Sequence, residues 1–534
     1  MAFARRPARR SPPGDTSSYD ARAIPPLARR DLLILSGAAV GLACRKAVPP
    51  SAAPAPPPAP AARPEAPPLQ PDTLARFVDP LPTPPVLAPM GTRPDPRDGK
   101  RQLPFHRVLM TEAAVTIHRD LPPTRVWTYG ASFPGPTLEL KRDQPVQVEW
   151  INALPPHPFW PVQPQDDSSA RAIVHLHGGR VPPDADGAPE AAMPPGRSLT
   201  VVYPNAQDAA TLWYRDDARG AARSNLQAGL LGLALVRDAH ESSLGLPSGP
   251  QEVPLVLCDR VLGQDGQLRP AAAGAAEAHL VNGRLFPFLA VEPRRYRLRI
   301  VNASTTHVYD LAFADGIPAV HQIGGDQGLL AAPVPVSATR LAPGERADLI
   351  VDFARVAGRT VLLKSGPIEF MQFRVSPGAG PRERPLPSQL AAIPKPDPAR
   401  AAVKRTLVLD GKPRPAGVTE RPRLGTTELW SLVNATPDMH PLHLHLVRFR
   451  VLDRQRFDPA AFAAGGKLQP VGPLAPAGAA EAGWKDTVRA EPGMVTRILV
   501  PFEGYAGPYA WQCQHLEQAP AGMAGRFQVV GPPT

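Results

Sequence analysis

A chain of 534 residues is too long for one hydrophobic core and suits about three domains of ~100–200 residues each. Its 73 prolines and its low content of helix-forming segments favour a β-rich protein with many turns. The formal net charge is +11, but residues 1–46 hold nine lysines and arginines against three aspartates, a balance of +6. The basicity therefore belongs mostly to the N-terminus, and we expect no nucleic-acid binding.

The first 46 residues have the pattern of an export signal. Arg29 and Arg30 precede a short apolar run, Leu32–Ala43, which ends at Cys44. A twin-arginine pair before such a run is typical of a Tat signal, and the run is shorter than the ~20 residues that a spanning helix needs. Lipidation of Cys44, with anchoring to the inner membrane, and ordinary cleavage nearby both stay open. We expect a periplasmic or cell-envelope monomer, and the sequence identifies no partner.

A segment rich in proline and alanine, residues 47–72, follows the signal and predicts an extended linker rather than a packed core. The chain has only three cysteines, which excludes a disulfide framework in an exported protein. Cys258 ends an apolar, strand-like run, and we interpret it as a small buried hydrophobic residue.

Short apolar runs alternate with turn signals through the rest of the chain, which predicts an all-β fold of sandwiches or barrels. Breaks in this pattern divide it into three predicted domains. Their limits are 73–240, 250–395 and 400–534. The middle domain carries scattered histidines without the spacing of a metal site, and we interpret each as a surface or structural residue. They are His279, His307 and His321.

Several stretches carry residue types that bind copper. Imidazole nitrogens suit copper, and one thiolate with two histidines and a weak axial methionine forms a blue copper site. A His-X-His pair on a strand puts both rings on one face, since side chains alternate with a period of two. Residues of these types stand at His175, His177, His440, His443, His445, Cys513 and Met523.

In their order and spacing these stretches resemble the multicopper oxidases, especially the branch of spore-coat laccases, bilirubin oxidase and phenoxazinone synthase. The likeness runs from about residue 74 to residue 530. It rests on Tyr129–Thr137, Val174–Gly179, Asn225–Gly232, Leu341–Asp348 and Gly483–Arg489. The resemblance implies three cupredoxin-like domains, each a Greek-key β-sandwich. It also implies a blue copper that takes electrons from a substrate and a trinuclear cluster that reduces dioxygen to water.

The resemblance assigns the retained ligands to separate coppers. His175 and His443 match the ligands of the lone copper of the cluster. His177 and His445 match two of the six ligands of the copper pair. The blue site keeps three residues, which are His440, Cys513 and Met523. An acid that the family keeps near the cluster is also present, as Asp186.

The other ligand positions are substituted. Four ligands of the copper pair and one histidine of the blue site are replaced, and the acid that supplies protons to oxygen is Ala519. The substitutions are Arg215, Asp217, Gln512, Gln514 and Gln518. A buried guanidinium is costly unless it is paired. We therefore expect Arg215 near the lost copper position, bonded to Asp217 and to the carbonyl of at least one of Gln512 and Gln514, with His177 or His445 close by.

Two histidines cannot hold a copper pair, and a guanidinium does not bind copper. We therefore expect copper to be absent or substoichiometric and oxygen reduction to be lost, which favours a structural, binding or envelope-stress role. Two alternatives stay open. One is a divergent copper oxidoreductase similar to a laccase or bilirubin oxidase. The other is a protein that holds one copper or zinc ion with the four retained histidines of the cluster.

Overall fold

The computed structural model describes residues 66–156, 170–270, 276–412, 417–516 and 523–531. The predicted export signal with Cys44, most of the linker, and Gln518 with Ala519 lie outside the described residues. Within them the chain forms six β-sheets with three short α-helices, and the predicted all-β fold is confirmed. Each pair of sheets encloses its own apolar core, which gives three sandwiches in chain order.

The first sandwich packs a five-stranded sheet on a four-stranded sheet. Its elements are β1 (Gly91–Pro94), β2 (Gln102–Val115), β3 (Thr124–Tyr129), β4 (Gly135–Lys141), β5 (Val146–Asn152), β6 (Val174–His177), β7 (Arg197–Tyr203), β8 (Ala210–Asp216), α1 (Ala222–Ala228), β9 (Leu231–Arg237) and α2 (Ala239–Ser243). The sheets have the orders β1-β2-β5-β7, with β3 beside β2, and β4-β9-β8-β6. In β5 the buried Val148 and Trp150 flank the half-buried Glu149, as the two-residue period of a strand requires.

The second sandwich contains the largest sheet, with eight strands, and a five-stranded sheet. Its strands are β10 (Glu252–Leu262), β11 (Leu268–Arg269), β12 (Ala278–Val281), β13 (Arg284–Leu285), β14 (Phe288–Val291), β15 (Arg295–Asn302), β16 (Tyr309–Phe313), β17 (Ala319–Gly325), β18 (Gly328–Pro335), β19 (Thr339–Leu341), β20 (Arg346–Asp352), β21 (Thr360–Ser365) and β22 (Ile368–Val375). The orders are β13-β12-β10-β15-β20-β17-β18, with β11 beside β10, and β14-β22-β21-β16-β19.

The third sandwich packs two five-stranded sheets. Its elements are β23 (Val403–Leu409), β24 (Val418–Glu420), β25 (Thr427–Asn434), β26 (His440–Leu444), β27 (Arg450–Phe457), α3 (Pro459–Gly465), β28 (Pro470–Pro476), β29 (Thr487–Ala490), β30 (Met494–Pro501), β31 (Gly507–Cys513) and β32 (Ala524–Val529). The orders are β23-β25-β30-β27-β28 and β24-β32-β31-β26-β29. Short 3-10 helices lie at Pro71–Thr73, Pro183–Ala185, Pro189–Ala191, Gly249–Gln251, Ala314–Gly316, Phe353–Val356, Pro398–Arg400 and Ala479–Glu481.

All three sandwiches share one topological feature. A parallel strand pair lies at the same place in each, β2 with β5, β10 with β15, and β23 with β25. The next strand of the sheet is antiparallel in each case. Because parallel neighbours cannot be joined by a hairpin, the chain must cross to the opposite sheet between them. This arrangement agrees with the predicted Greek-key sandwiches.

Contacts between sandwiches bury a further group of apolar residues. Trp213 and Leu233 of the first sandwich share a core with Val256 and Cys258 of the second. Cys258 is fully buried, so its interpretation as a small hydrophobic residue is confirmed. Strand β6 ends its sheet on the side that faces the third sandwich, which brings the two His-X-His motifs together.

The last residues of the predicted linker pack against the second sandwich. Leu69 is buried, and its N–H donates to the carbonyl of Leu262 at 2.8 Å. Ordered packing therefore begins several residues before residue 73. The buried Leu69 side chain and its backbone hydrogen bond hold this proline-rich segment against the second sandwich. In the part of the chain that the structure describes, every helix is too short or too polar to cross a membrane.

Candidate metal centre

Four histidines from two sandwiches meet at one buried point. Strand β6 presents His175 and His177 on one face, because residues two apart on a strand point the same way. Strand β26 presents His443, and His445 follows it directly. All four rings are at most 1% exposed. The structure thus brings together the four histidines that the resemblance assigned to the trinuclear cluster.

The four rings form two stacked pairs, one member of each pair coming from each sandwich. The ring centroids of His177 and His443 lie 3.6 Å apart with 15° between the planes. The centroids of His175 and His445 lie 3.9 Å apart with 28° between the planes. Stacking of this kind fixes each ring from one side, so the nitrogens are held in place by the sandwich interface rather than by a single strand.

The hydrogen bonds of His175 and His443 set which nitrogen carries a proton. His175 Nδ1 lies 2.8 Å from the carbonyl of Asp186, and His443 Nδ1 lies 3.0 Å from the carbonyl of Asp486. A carbonyl can only accept, so both Nδ1 atoms donate and both Nε2 atoms carry a lone pair in the neutral ring. Those two Nε2 atoms face each other at 3.4 Å. Two lone pairs at this distance repel unless a cation lies between them.

His177 is held differently. Its Nε2 lies 3.0 Å from Thr487 Oγ1 and 3.3 Å from Asp486 Oδ1. The Thr487 hydroxyl itself donates to Asp486 Oδ1 at 2.8 Å, so it accepts from His177. Burial lowers the pKa of His177 well below its ordinary value, and His443 lowers it further, so the ring is neutral at pH 7. The imidazole is thereby oriented by the third sandwich.

His445 is the one cluster histidine with a raised pKa. Its Nδ1 lies 2.9 Å from Asp186 Oδ2. Burial lowers the pKa of His445, but the Asp186 carboxylate, with a smaller contribution from Asp217, raises it above the ordinary value. In contrast, burial and the neighbouring His445 ring lower the pKa of His175 to about 3. Asp186 thus contacts two of the four rings, one with its carboxylate and one with its backbone.

Sequence reasoning did not assign a role to Asp486 or to Arg346. Arg346 Nη1 donates to Asp486 Oδ1 at 2.7 Å, and both residues are fully buried. Burial alone would raise the pKa of Asp486, but Arg346 with His177 and His443 holds this pKa well below its usual range. Both residues lie in stretches that carried the resemblance, Leu341–Asp348 and Gly483–Arg489, and that position was the available signal.

The substituted positions line the same centre. Arg215 of β8 stands directly opposite His175 of β6 in the strand register, and Gln512 of β31 stands opposite His443 of β26. Arg215 is fully buried, and its Nη1 donates to Asp217 Oδ1 at 2.7 Å and to the carbonyl of Asp216 at 2.8 Å. The expected ion pair between Arg215 and Asp217 is present.

The expected contact between Arg215 and a glutamine carbonyl is wrong. The Gln512 side-chain N–H donates to Asp217 Oδ1 at 2.9 Å, so the carboxylate lies between the amide and the guanidinium. A charged oxygen is a stronger acceptor than an amide carbonyl, and it attracts both donors. Among the described residues none hydrogen-bonds to Arg215 Nε or Nη2, or to Gln514 Nε2. The polar network is therefore centred on Asp217 rather than on Arg215.

These contacts can be compared with what bound copper requires. At the six positions of the copper pair only His177 and His445 offer imidazole, while Arg215 brings a fixed positive charge and Asp217 is already bonded twice. The residues do not fit a four-copper set. They do fit one ion, because two nitrogens bound to a tetrahedral metal at ~2.0–2.1 Å lie about 3.3 Å apart. His175 Nε2 and His443 Nε2 are separated by 3.4 Å.

The retained positions of the blue site also meet. Cys513 Sγ lies 3.7 Å from His440 Nδ1, and the Cys513 N–H donates to the carbonyl of Met523 at 2.8 Å. Burial raises the pKa of the Cys513 thiol to about 12, so the sulfur is protonated at pH 7. His440 Nε2 lies 2.6 Å from Thr436 Oγ1. The Cys513 and Met523 side chains pack in the core of the third sandwich, and Gln518 lies outside the described residues.

Comparison with known proteins finds relatives of one family. Residues 111–241 and 390–532 each match a family model described as multicopper oxidase. The laccase of Bacillus subtilis (strain 168) is 38% identical over 518 residues, which cover 86% of this chain and 99% of that protein. The laccase of Haloferax volcanii is 34% identical over 520 residues, 86% of each chain.

Solved structures agree with the sequence matches. The crystal structure of a multi-copper oxidase from Pediococcus acidilactici has a TM-score of 0.71 and is 26% identical. The match covers 86% of this chain and 93% of that chain. The sequence and structure matches therefore span all three sandwiches and the histidine centre between the first and the third.

Proposed function

Because the chain belongs to the multicopper oxidase family but carries a buried Arg215–Asp217 ion pair among its copper-ligand positions, we propose that it keeps the family fold without four-copper oxygen reduction. Its role is then structural or binding, in the cell envelope. The observation that carries this proposal is the place of Arg215, directly opposite His175 in the strand register and fully buried.

Charge explains why this arrangement opposes a copper pair. The guanidinium is protonated at every physiological pH, and inside a protein its repulsion of a second cation is screened far less than in water. Asp217 compensates this charge within the pair. If Asp217 bound a metal instead of Arg215, the guanidinium would be buried without a compensating charge, which typically costs ~3–5 kcal/mol. A copper pair would have to overcome this cost with only two imidazoles.

Metal content and oxygen consumption test the proposal together. Protein folded in excess copper, then freed of loose metal, should hold clearly fewer than four coppers per chain and show no intense blue absorption. It should consume no oxygen with phenolic or bilirubin-type substrates. Four coppers per chain with azide-sensitive oxygen consumption would refute the proposal and support a divergent laccase-like oxidoreductase instead.

A second candidate function is the binding of one copper or zinc ion. The specific observation in favour is the 3.4 Å separation of His175 Nε2 and His443 Nε2, both acceptors that face one point. An ion bound there would accept both Nε2 lone pairs and remove the repulsion between them. The Nδ1 bonds to two backbone carbonyls would orient both rings. His443→Gln should then remove one equivalent of metal, while the matched variant His321→Gln on the second sandwich should remove none.

The proposed location outside the cytoplasm depends on residues 1–46. We expect Arg29→Lys with Arg30→Lys to retain the full chain in the cytoplasm, because a Tat signal requires the arginine pair. Cys44→Ser should release the exported protein from the membrane fraction if Cys44 is lipidated, and should leave its distribution unchanged if the signal is simply cleaved. Continued export of the lysine variant would contradict the Tat assignment.

A further inference from the structure

A second group of metal-ligating side chains lies on the second sandwich, far along the chain from the four-histidine centre. Glu277 and His279 are two residues apart at the start of β12, and His307 precedes β16. One ligand atom from each residue lies within 4.8 Å of the others. Glu277 Oε2 contacts His307 Nε2 directly, and the rings of His279 and His307 lie 4.8 Å apart at 83°. Sequence spacing alone gave no sign of this group.

Hydrogen bonds hold His307 in this position. Its carbonyl accepts from Asn302 Nδ2 at 2.8 Å and from Ser304 Oγ at 2.9 Å. Both donors are buried, so the loop that carries His307 is fixed to the end of β15. The backbone of His307 is therefore held in place by buried hydrogen bonds, unlike that of a surface residue whose side chain approaches its neighbours by chance.

His279 is supported from the opposite side. Its Nδ1 lies 3.0 Å from the hydroxyl of the buried Tyr309, and its backbone pairs with Asp259 of β10. A metal-binding histidine commonly bonds to a polar group through its second nitrogen, which fixes the ring and its tautomer. Tyr309 supplies such a partner for His279, and the ring edge of Phe370 packs beside it.

From this geometry we propose that Glu277, His279 and His307 bind one Zn²⁺ ion. Two imidazoles and one carboxylate form a common zinc ligand set, and water completes the tetrahedron where protein leaves one position open. All three residues are half-buried, so water reaches the group. A tetrahedral ion needs its ligand atoms about 3.3 Å apart. Binding of an ion would therefore require the partly exposed Glu277 and His307 side chains to rotate until the three ligand atoms reach that separation.

The location suggests what such an ion does. The loop that carries His307 also carries Thr305, whose N–H donates to Asp259 Oδ1 at 3.0 Å. The Thr305 carbonyl accepts from the N–H of Leu516 at 3.1 Å. Leu516 lies three residues after Cys513, where the third sandwich packs on the second. An ion at His307 would thus stabilise the loop that supports the chain beyond Cys513, independently of any metal at the four-histidine centre.

Zinc titration of the full chain tests the proposal. After removal of metal with a chelator, the wild type is titrated with Zn²⁺ by calorimetry, and its bound zinc is measured by mass spectrometry. Glu277→Gln and His307→Gln should each weaken this site by at least about 10–100-fold, the cost of losing even an outer partner of a metal ligand. Each variant should hold one equivalent less than the wild type. His321→Gln, in the same sandwich, should bind as the wild type does.

Two further measurements separate this site from other effects. Zn²⁺ should raise the Tm of wild type and of His443→Gln, and raise it less in Glu277→Gln, which keeps the side-chain shape and preserves the fold. The variant with Glu277→Gln and His443→Gln together should lose the ion at Glu277, and also any ion that His443→Gln alone removes. Zinc stoichiometry that is unchanged in Glu277→Gln and His307→Gln, or that is abolished by His443→Gln alone, would overturn the proposal.

Discussion

Arg346 and Asp486 form a buried ion pair that joins the second sandwich to the third. The contact is bidentate: Arg346 Nη1 lies 2.7 Å from Asp486 Oδ1, and Arg346 Nη2 lies 2.5 Å from Asp486 Oδ2. The carbonyl of Asp486 accepts from His443, and its carboxylate lies 3.3 Å from His177 Nε2. One aspartate therefore links the sandwich interface to both strands that carry the histidine centre.

Replacement of Asp486 by Asn should destabilise the protein by ~3 kcal/mol, because Arg346 would remain buried without its main partner. Urea denaturation followed by tryptophan fluorescence measures this change. Asp453→Asn is the matched control, since its pair with Arg497 is partly exposed and should contribute ~0–1 kcal/mol. Equal losses in the two variants would mean that the Arg346–Asp486 pair contributes no more than a surface pair.

The sequence predicted the features that follow from local pattern. Two-residue alternation predicted the β-fold and the shared face of His175 and His177 on their strand. The resemblance to the multicopper oxidases, rather than the local pattern, placed His175 and His443 in one centre. It could not give the direction of the Gln512 amide, which depends on Asp217 from another sandwich. Nor could it give the Arg346–Asp486 pair, whose members are 140 residues apart and depend on how two sandwiches dock. The domain limits 73–240, 250–395 and 400–534 stay a prediction.

The Arg215–Asp217 pair can be tested as a unit. Asp217→Ala alone should destabilise by ~3–5 kcal/mol, because it leaves a buried charge without its partner. Replacing both residues by leucine should cost less than Asp217→Ala, since an apolar pair of similar volume often replaces a buried ion pair without loss. Urea denaturation of the two variants gives the comparison. A double variant less stable than Asp217→Ala would show that Arg215 stabilises the fold by other contacts.

Acid should weaken the protein partly through Glu481. Its two oxygens each lie 2.7 Å from Arg454. Burial would raise the pKa of Glu481, but Arg454, followed by Arg489, lowers it from 4.5 to about 2. Because the pKa of Glu481 is lower in the folded than in the unfolded state, the ionised carboxylate stabilises the folded protein above about pH 4.5. This stabilisation is lost as the pH falls toward 2. The full contribution is ~3 kcal/mol, of which roughly 1 kcal/mol is lost between pH 6 and pH 4.

The measurement is the free energy of unfolding at pH 6 and at pH 4, for the wild type and Glu481→Gln. The variant should lose roughly 1 kcal/mol less between the two pH values than the wild type does. Glu503→Gln, whose partner Arg180 lies 3.3 Å away at the surface, should behave as the wild type. An identical pH dependence for Glu481→Gln and the wild type would contradict the assignment.

Restoring imidazoles at the copper-pair positions tests why the centre differs from its relatives. Gln512→His with Gln514→His supplies two ligands but leaves the Arg215 charge in place, so we expect copper content to stay as in the wild type. Adding Arg215→His and Asp217→His removes that charge and completes six imidazoles with His177 and His445. The fourfold variant should gain about two coppers per chain, since each copper of such a pair takes three imidazoles.

Copper content after folding in excess copper, with the absorption and electron paramagnetic resonance spectra, measures this gain. Gln455→His on β27 controls for the general effect of an added histidine near a surface, and it should add no tightly bound copper. If the twofold variant gains as much copper as the fourfold variant, the Arg215 charge is not the obstacle. If neither the twofold nor the fourfold variant gains copper, the backbone of these strands no longer holds the ligand positions at the distances that copper needs. The side-chain substitutions alone would then not explain the loss of copper binding.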